Sequence, residues 1–253
     1  MPLRTVLIAL TGLVVALAVI GAASWWFLIR EDSGLATAPP EIPSELAADA
    51  ASPDDAATAT PDASAGTPAA GDSDVLVFSI LPEESQAAYF VDEELASLPL
   101  PSTAKGVTSE IEGEFYLTGD GAALADGYES QFTVDLRNLT SDEDRRDNRV
   151  QEALETDAYP FATFTVTAVS GYDASIADGE EQTLELTGTL DLHGVQREVT
   201  WEVQAFRQGN VVSALATVTI AFADFEVTPP TFAGLVSIDD QATLQVELIA
   251  QAA

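Results

Sequence analysis

Apolar and polar residues alternate in short runs through the C-terminal two thirds of the chain, and this alternation constrains the fold more than any other feature. In one run Phe132, Val134 and Leu136 share a face and polar residues fill the positions between them. In another, Trp201 and Val203 share a face in the same way. Successive side chains of a β-strand point to opposite faces, so these runs predict antiparallel strands with one buried face.

About eight such runs, each five to nine residues long, follow one another and are separated mainly by Gly, Asp or Asn. A helical pattern interrupts them once, at residues 142–156, where Val150, Ala153 and Leu154 form a short apolar stripe. Many strands with a single short helix predict an all-β fold, either a closed barrel or a sandwich.

An apolar segment at the N-terminus, residues 5–29, contains no charged residue. About 20 apolar residues cross a bilayer as a helix, so residues 1–30 are predicted to be a single transmembrane anchor. Trp25 and Trp26 lie near one end, where indole rings favour the membrane interface. The alternative is a signal peptide cleaved near Ala22–Ser24, but the apolar segment continues past that site and favours a retained anchor.

Residues 31–74 contain many acidic, alanine and proline residues and no lysine or arginine. Such a composition buries too little apolar surface to offset the entropy of ordering, so the segment is predicted to be a disordered linker. The linker divides the anchor from a folded domain predicted at residues 75–253. The domain is predicted to lie outside the cytoplasm, since the only base before the apolar segment is Arg4 and the far flank is acidic.

The charge and the missing residue types exclude several functions. The formal net charge is −33, from 9 Lys+Arg and 42 Asp+Glu, which disfavours nucleic acid as a partner. The chain has no cysteine and one histidine, so no Cys-based or multi-His metal site is expected. Nucleotide-binding glycine motifs and nucleophile elbows are also missing, and we expect neither an enzyme nor a cofactor.

Four segments, in order, resemble the YceI family of polyisoprenoid-binding-like proteins of bacterial envelopes. They are FSILPEESQAAYFV (78–91), EIEGEFYLTGDG (110–121), RRDNRVQEALETDAYPFATF (145–164) and LTGTLDLHGVQREVTWEV (186–203). The third is similar to the family's Arg-Asp pair, short helix and Tyr-Pro strand start, and the fourth to its His-Gly-Val turn. Together these two make the resemblance specific, and it covers essentially the whole predicted domain.

The resemblance implies an extended antiparallel, lipocalin-like β-barrel of about eight strands with an elongated apolar interior. It also implies a non-enzymatic role, the binding, transport or sequestration of a long-chain isoprenoid or other amphiphilic lipid. With the predicted anchor, the protein would be a single-pass membrane protein whose barrel lies in the periplasm or at the cell surface. The alternative is a structural or protein-interaction module whose barrel is filled by its own side chains; the oligomeric state stays open.

Inward-facing positions of the predicted strands are candidates for lining a lipid cavity, although the same residues could fill a solid core. They are Phe78, Tyr89, Phe115, Phe132, Val134, Leu136, Phe164, Trp201, Val203, Ala214 and Ala216. Two polar residues are candidates for contacting a lipid head group. Arg146 belongs to a positive cluster, and guanidinium matches phosphate geometry; His193 lies at a predicted strand end. A structural role is the alternative for both.

Overall fold

The computed structural model describes residues 34–50, 75–95, 98–119, 121, 123–173, 175–230 and 236–252. Eleven strands are formed in this part of the chain. They are β1 (Val75–Ile80), β2 (Gln86–Leu95), β3 (Leu98–Thr108), β4 (Ile111–Thr118), β5 (Gln131–Asp135), β6 (Phe161–Ser170), β7 (Gln182–Leu192), β8 (Val195–Gln208), β9 (Val211–Ala221), β10 (Val236–Ile238) and β11 (Gln241–Ala252).

Two α-helices accompany these strands among the described residues, α1 (Ser44–Ala50) and α2 (Asp144–Ala153). Three short 3₁₀ segments, Pro82–Glu84, Leu136–Asn138 and Phe222–Phe225, lie next to strands. The helix predicted at 142–156 therefore exists as α2 and is shorter at both ends. No helix in the described ranges is long and apolar enough to span a bilayer, and the predicted anchor, residues 1–30, lies outside those ranges.

Eight antiparallel strands close into a barrel, which confirms the predicted all-β fold. The sheet runs in the order β1-β4-β5-β6-β7-β8-β9-β11, and β11 pairs again with β1. β2 continues along β11 beyond β1, β3 pairs with β2, and β10 pairs with the far end of β2. Closure leaves the eight barrel strands without an open sheet edge.

The turns, connections and helix at the two ends of the barrel differ, and we call these ends the helix end and the opposite end. At the helix end lie α2, the β7–β8 turn and the segment Phe222–Phe225 that follows β9. At the opposite end lie the β8–β9 turn and the connection between β6 and β7. The 14-residue strand β8 joins the two ends, with Trp201, Val203 and Ala205 buried and Glu202 exposed between them.

The structure differs from the predicted disorder for the first part of the linker, because residues 35–50 pack on the outside of the barrel. We call these residues the strap. The Ser213 hydroxyl on β9 donates a hydrogen bond to the Pro40 carbonyl at 2.5 Å, and Gln245 on β11 bonds both the N–H and the carbonyl of Ala36. Side chains of the barrel therefore satisfy backbone hydrogen-bonding groups of the strap, which in a disordered linker would be bonded to water. Residues 51–74 of the predicted linker lie outside the described residues.

Candidate ligand-binding cavity

A cavity of about 720 Å³ occupies the interior of the barrel. This volume falls within the range of roughly 300–1,000 Å³ that is common for small-molecule sites. Its wall is largely apolar and includes residues near both ends of β7, from Leu184 to Leu192. The interior therefore offers a long, apolar space in which hydrocarbon can be removed from water.

All eleven residues predicted to line a cavity do line this one: Phe78, Tyr89, Phe115, Phe132, Val134, Leu136, Phe164, Trp201, Val203, Ala214 and Ala216. Nine of them lie on strands of the closed barrel, which turns one face of every strand inward, whereas Tyr89 lies on β2 and Leu136 begins the 3₁₀ segment after β5. Their contact with a lipid stays a prediction.

Four aromatic rings form a continuous band across one wall. Phe115 and Phe132 have ring centroids 4.2 Å apart, and Phe132 and Phe164 stack at 6.4 Å. Phe164 then meets Trp201 edge-on at 5.9 Å. Since such contacts hold rings in fixed orientations, the band is a pre-formed apolar surface rather than a set of independent side chains.

Glycine at position 188 allows the band to cross β7. Phe164 lies on β6 and Trp201 on β8, so the two rings meet over the strand between them. A Cβ at Gly188 would lie 2.7 Å from Cζ of Phe164 and 2.2 Å from the Thr165 carbonyl oxygen. Any side chain here would displace the ring, which explains why β7 carries glycine at this position.

Tyr89 brings a polar group into the cavity near its helix end. Its ring lies against Gly106, where an added Cβ would approach Cε1 to 2.3 Å. Burial raises the pKa of the Tyr89 hydroxyl to about 12, and the nearby positive charge of Arg146 opposes that increase. The phenol is therefore a neutral hydrogen-bond donor at physiological pH.

Arg146, the first head-group candidate, also lines the cavity, and α2 places it beside β2. Its guanidinium lies 3.7 Å from the Glu93 carboxylate and is hydrogen-bonded to Asp142, which lies just before α2. Burial acts to lower the pKa of Arg146, but Glu93 and Asp142 outweigh it and raise the pKa above its ordinary value. The positive charge at this end is thus compensated by the protein's own carboxylates.

His193, the second head-group candidate, is not among the residues that line the cavity. It occupies the β7–β8 turn with a left-handed φ of 55°. Its Nδ1 lies 3.2 Å from the Phe225 carbonyl oxygen, and its ring packs edge-on against Tyr159 at 4.9 Å. These contacts join the turn to the segment after β9 and support the structural alternative for this histidine.

Sequence reasoning missed the polar residues at the opposite end of the cavity. Arg207, near the end of β8, and Tyr172, in the connection between β6 and β7, both line it. One sequence feature could have indicated Arg207: it is a basic residue at the end of an alternating run, in a chain with only 9 Lys+Arg. In the described ranges, no group of three or more His, Asp or Glu residues is positioned to hold a metal ion.

The comparison with protein families matches residues 78–250 to the YceI-like domain. Among individual proteins, the chain is 36% identical over 80 residues to Protein YceI of Shigella flexneri, a stretch that covers 31% of this chain and 38% of that protein. Protein YceI of Escherichia coli O157:H7 gives the same identity and coverage. The chain therefore spans well under half the length of these curated relatives.

Two solved structures share the fold. A polyisoprenoid binding domain from Saccharophagus degradans, implicated in plant cell wall breakdown, superposes with a TM-score of 0.55 at 22% identity, covering 70% of this chain and 99% of that one. BcnA of Burkholderia cenocepacia superposes with a TM-score of 0.51 at 18% identity, covering 68% of this chain and 99% of that one.

Proposed function

The chain belongs to the YceI family, and we propose that its barrel binds a long-chain isoprenoid or similar amphiphilic lipid in the cell envelope, for transport or sequestration. The observation that carries the proposal is the apolar cavity of about 720 Å³ inside a closed barrel. Its occupant would be held mainly by removal of hydrocarbon from water, at about 0.8 kcal/mol per buried methylene. A tail of a dozen or more carbons therefore gives substantial affinity without any charged contact.

The name of one structural relative supports the choice of ligand class. The Saccharophagus degradans domain is described as polyisoprenoid-binding. The continuous aromatic band of Phe115, Phe132, Phe164 and Trp201 suits a branched, unsaturated chain, because ring faces and edges pack against methyl groups and double bonds alike. The cavity counts against the alternative of a barrel filled by its own side chains.

The proposed role is non-catalytic. Binding in this cavity requires no nucleophile or metal, and the polar groups that line it, such as Tyr89 and Arg146, have structural or ligand-binding explanations. Incubation of the purified protein with ester and phosphate substrates should show no turnover above a heat-denatured control. Measurable turnover would refute the non-catalytic role.

We also propose that residues 1–30 anchor the barrel to the membrane with the barrel outside the cytoplasm. The uncharged segment 5–29 supports this arrangement. Protease added to spheroplasts should release the barrel domain into the medium while an N-terminal fragment stays with the membrane. A barrel that is protected from protease, or that is found with a new N-terminus near Ser24, would contradict the anchor.

Native mass spectrometry of the full-length protein, followed by organic extraction, tests the main proposal. We expect one lipid per barrel, or stoichiometric uptake of geranylgeraniol, a C20 isoprenoid alcohol, after delipidation. A protein that carries no lipid and takes up neither geranylgeraniol nor an apolar fluorescent probe would refute lipid binding.

A further inference from the structure

The two ends of the cavity differ in how their arginines are neutralised. At the helix end, Arg146 has Glu93 and Asp142 beside it, and Arg149 lies 3.9 Å from Glu152. At the opposite end, Arg207 lines the cavity and forms no salt bridge with any carboxylate of the described residues. An anionic ligand group therefore meets an ion-paired arginine at one end and, at the other, an arginine that has no ion pair among the described residues.

Arg207 is held in place by contacts that leave most of its donors available. Its Nε donates a hydrogen bond to the Gly209 carbonyl at 2.6 Å. Its guanidinium carbon lies 5.7 Å from the ring centroid of Phe78, a buried residue of the cavity wall. A guanidinium has five N–H donors in a rigid plane, so the two terminal nitrogens can still bond a ligand.

A second donor converges with Arg207 at the mouth of the cavity. The terminal nitrogen Nη1 of Arg207 and the Tyr172 hydroxyl each lie 3.9 Å from the point that a Cβ would occupy at Gly121. Gly121 has a left-handed φ of 71° and no side chain, and Cδ1 of Leu76 lies at the same 3.9 Å from its Cβ position, so an apolar atom of the cavity wall borders the two donors. The mouth thus presents a guanidinium and a phenol to the same small region.

Two acidic residues at this mouth, Asp178 and Glu180, also line the cavity. The carboxylate oxygens of Asp178 accept hydrogen bonds from the Gly209 N–H, at 2.9 and 3.2 Å. Asp178 is therefore engaged with the β8–β9 turn and does not pair with Arg207. Glu180 makes no salt bridge to Arg207 either.

We propose that Arg207, Tyr172 and Gly121 form a head-group site for an oxyanion, a phosphate or carboxylate, carried by the lipid whose tail fills the cavity. Guanidinium binds such groups through paired hydrogen bonds, and a phenol adds a further donor. This inference rests on the proposed lipid-binding function. It replaces Arg146, the residue predicted from sequence, with an arginine at the other end of the barrel, and so fixes the direction in which an anionic lipid enters.

Two probes with the same tail separate head-group binding from tail binding. Geranylgeranyl phosphate and geranylgeraniol are titrated against the delipidated full-length protein. We expect Arg207→Gln to weaken binding of the phosphate at least about tenfold, roughly 1.4 kcal/mol, and to leave binding of the alcohol unchanged. Arg146→Gln is the matched control, an arginine of the same cavity, and should leave the ratio of the two affinities as in the parent.

The outcomes distinguish this inference from the function on which it rests. If the parent protein binds neither probe, the lipid-binding function fails. If both probes bind but Arg207→Gln leaves their affinity ratio unchanged, or Arg146→Gln changes it, the head-group assignment fails. Inorganic phosphate alone should not bind; binding of it that Arg207→Gln abolishes would show a site for a free anion and overturn the lipid assignment.

Two further variants guard against a folding defect, and melting temperatures are measured on every sample. Arg207→Lys keeps the positive charge and should retain part of the preference for the phosphate. Tyr172→Phe removes one donor without touching the contact between Arg207 and Phe78, and should weaken binding of the phosphate alone. If Arg207→Gln does not fold, unchanged phosphate binding by Tyr172→Phe overturns the site.

Discussion

The side-chain amide of Gln245 bonds the backbone of Ala36 twice, accepting from its N–H at 2.8 Å and donating to its carbonyl at 3.0 Å. Gln245 is almost fully buried, with 4% of its surface exposed. The compact unit that contains the barrel accordingly begins at Leu35. The strap is thus part of the folded domain, although its composition predicts a disordered segment.

Replacing Gln245 by leucine should release the strap. The substitution leaves the Ala36 N–H and carbonyl without their partner, and a net hydrogen bond contributes about 0.5–1.5 kcal/mol. We expect a loss of about 1–2 kcal/mol in the free energy of unfolding, measured in urea, and faster proteolysis within residues 35–50. Gln241→Leu, at an exposed position of the same strand, is the control. Equal cleavage rates in Gln245→Leu and the parent would show that these bonds do not hold the strap.

The contrast between the barrel and the strap shows what the sequence could reveal. Strand alternation predicted an all-β fold and the inward face of each strand, since successive side chains of a strand point to opposite faces. The closed barrel was implied by the family resemblance. The strap has only three large apolar side chains, Leu35, Ile42 and Leu46. The sequence feature that indicates its packing lies instead on β9, the strand that it covers. Leu215 points outward between Ser213 and Thr217, yet only 3% of its surface is exposed. An apolar residue on the outer face of a barrel strand indicates that something covers it.

The charged groups of the cavity could be predicted only in part. Arg146, which the positive cluster marked as a head-group candidate, lines the cavity, and its contact with a head group stays a prediction. Its compensation by Glu93 depends on α2 packing beside β2, which residue spacing does not show. The convergence of Arg207 with Tyr172 likewise joins the end of β8 to the connection between β6 and β7, two segments that are distant in sequence.

Stability at high pH should depend on Tyr89. Burial raises its pKa to about 12 in the folded protein, against 10.0 ordinarily. The folded state then binds the phenol proton more tightly than the unfolded state. This stabilisation is complete below pH 10 and is lost as the pH rises toward 12, at up to about 1.4 kcal/mol per pH unit.

Tyr89→Phe removes the ionisable group and keeps the ring that packs on Gly106. We expect its free energy of unfolding to fall less steeply than that of the parent between about pH 10 and 12. The comparison is made by urea unfolding at a series of pH values. Parallel curves for the two proteins would contradict the raised pKa.

The backbone at Glu226 is strained, and the substitution Glu226→Gly should relieve the strain. Glu226 follows the 3₁₀ segment Phe222–Phe225 with φ 56° and ψ 22°, in the left-handed region. An L-residue there costs roughly 1–2 kcal/mol, whereas glycine adopts this region freely but loses about 0.5–1 kcal/mol of chain entropy. We expect Glu226→Gly to raise the free energy of unfolding by about 0.5–1 kcal/mol.

Glu226→Gly also removes a negative charge from a strongly acidic chain, and Glu226→Ala is the control for this loss of charge. It deletes the carboxylate but keeps a Cβ, so it should not reproduce the gain seen with glycine. Chemical denaturation of the three proteins at one ionic strength makes the comparison. An equal gain with alanine would attribute the effect to charge rather than to the backbone.

The central claim, that the barrel interior is a lipid site, is tested most directly by one pair of neighbouring substitutions on β9. Ala214 and Leu215 are both buried, but Ala214 lines the cavity whereas Leu215 faces outward. Lipid uptake, by native mass spectrometry with geranylgeraniol, and melting temperature are measured on the same samples of the parent, Ala214→Trp and Leu215→Trp. Ala216→Trp repeats the cavity substitution.

We expect Ala214→Trp to occupy cavity space, to cut lipid uptake at least about tenfold, and to leave the melting temperature nearly unchanged. Leu215→Trp should overpack the outer face, cost roughly 1–3 kcal/mol of stability, and leave uptake by the folded protein intact. If Ala214→Trp instead destabilises the barrel as much as Leu215→Trp does while lipid uptake stays at the parent's level, the cavity is not where the lipid binds.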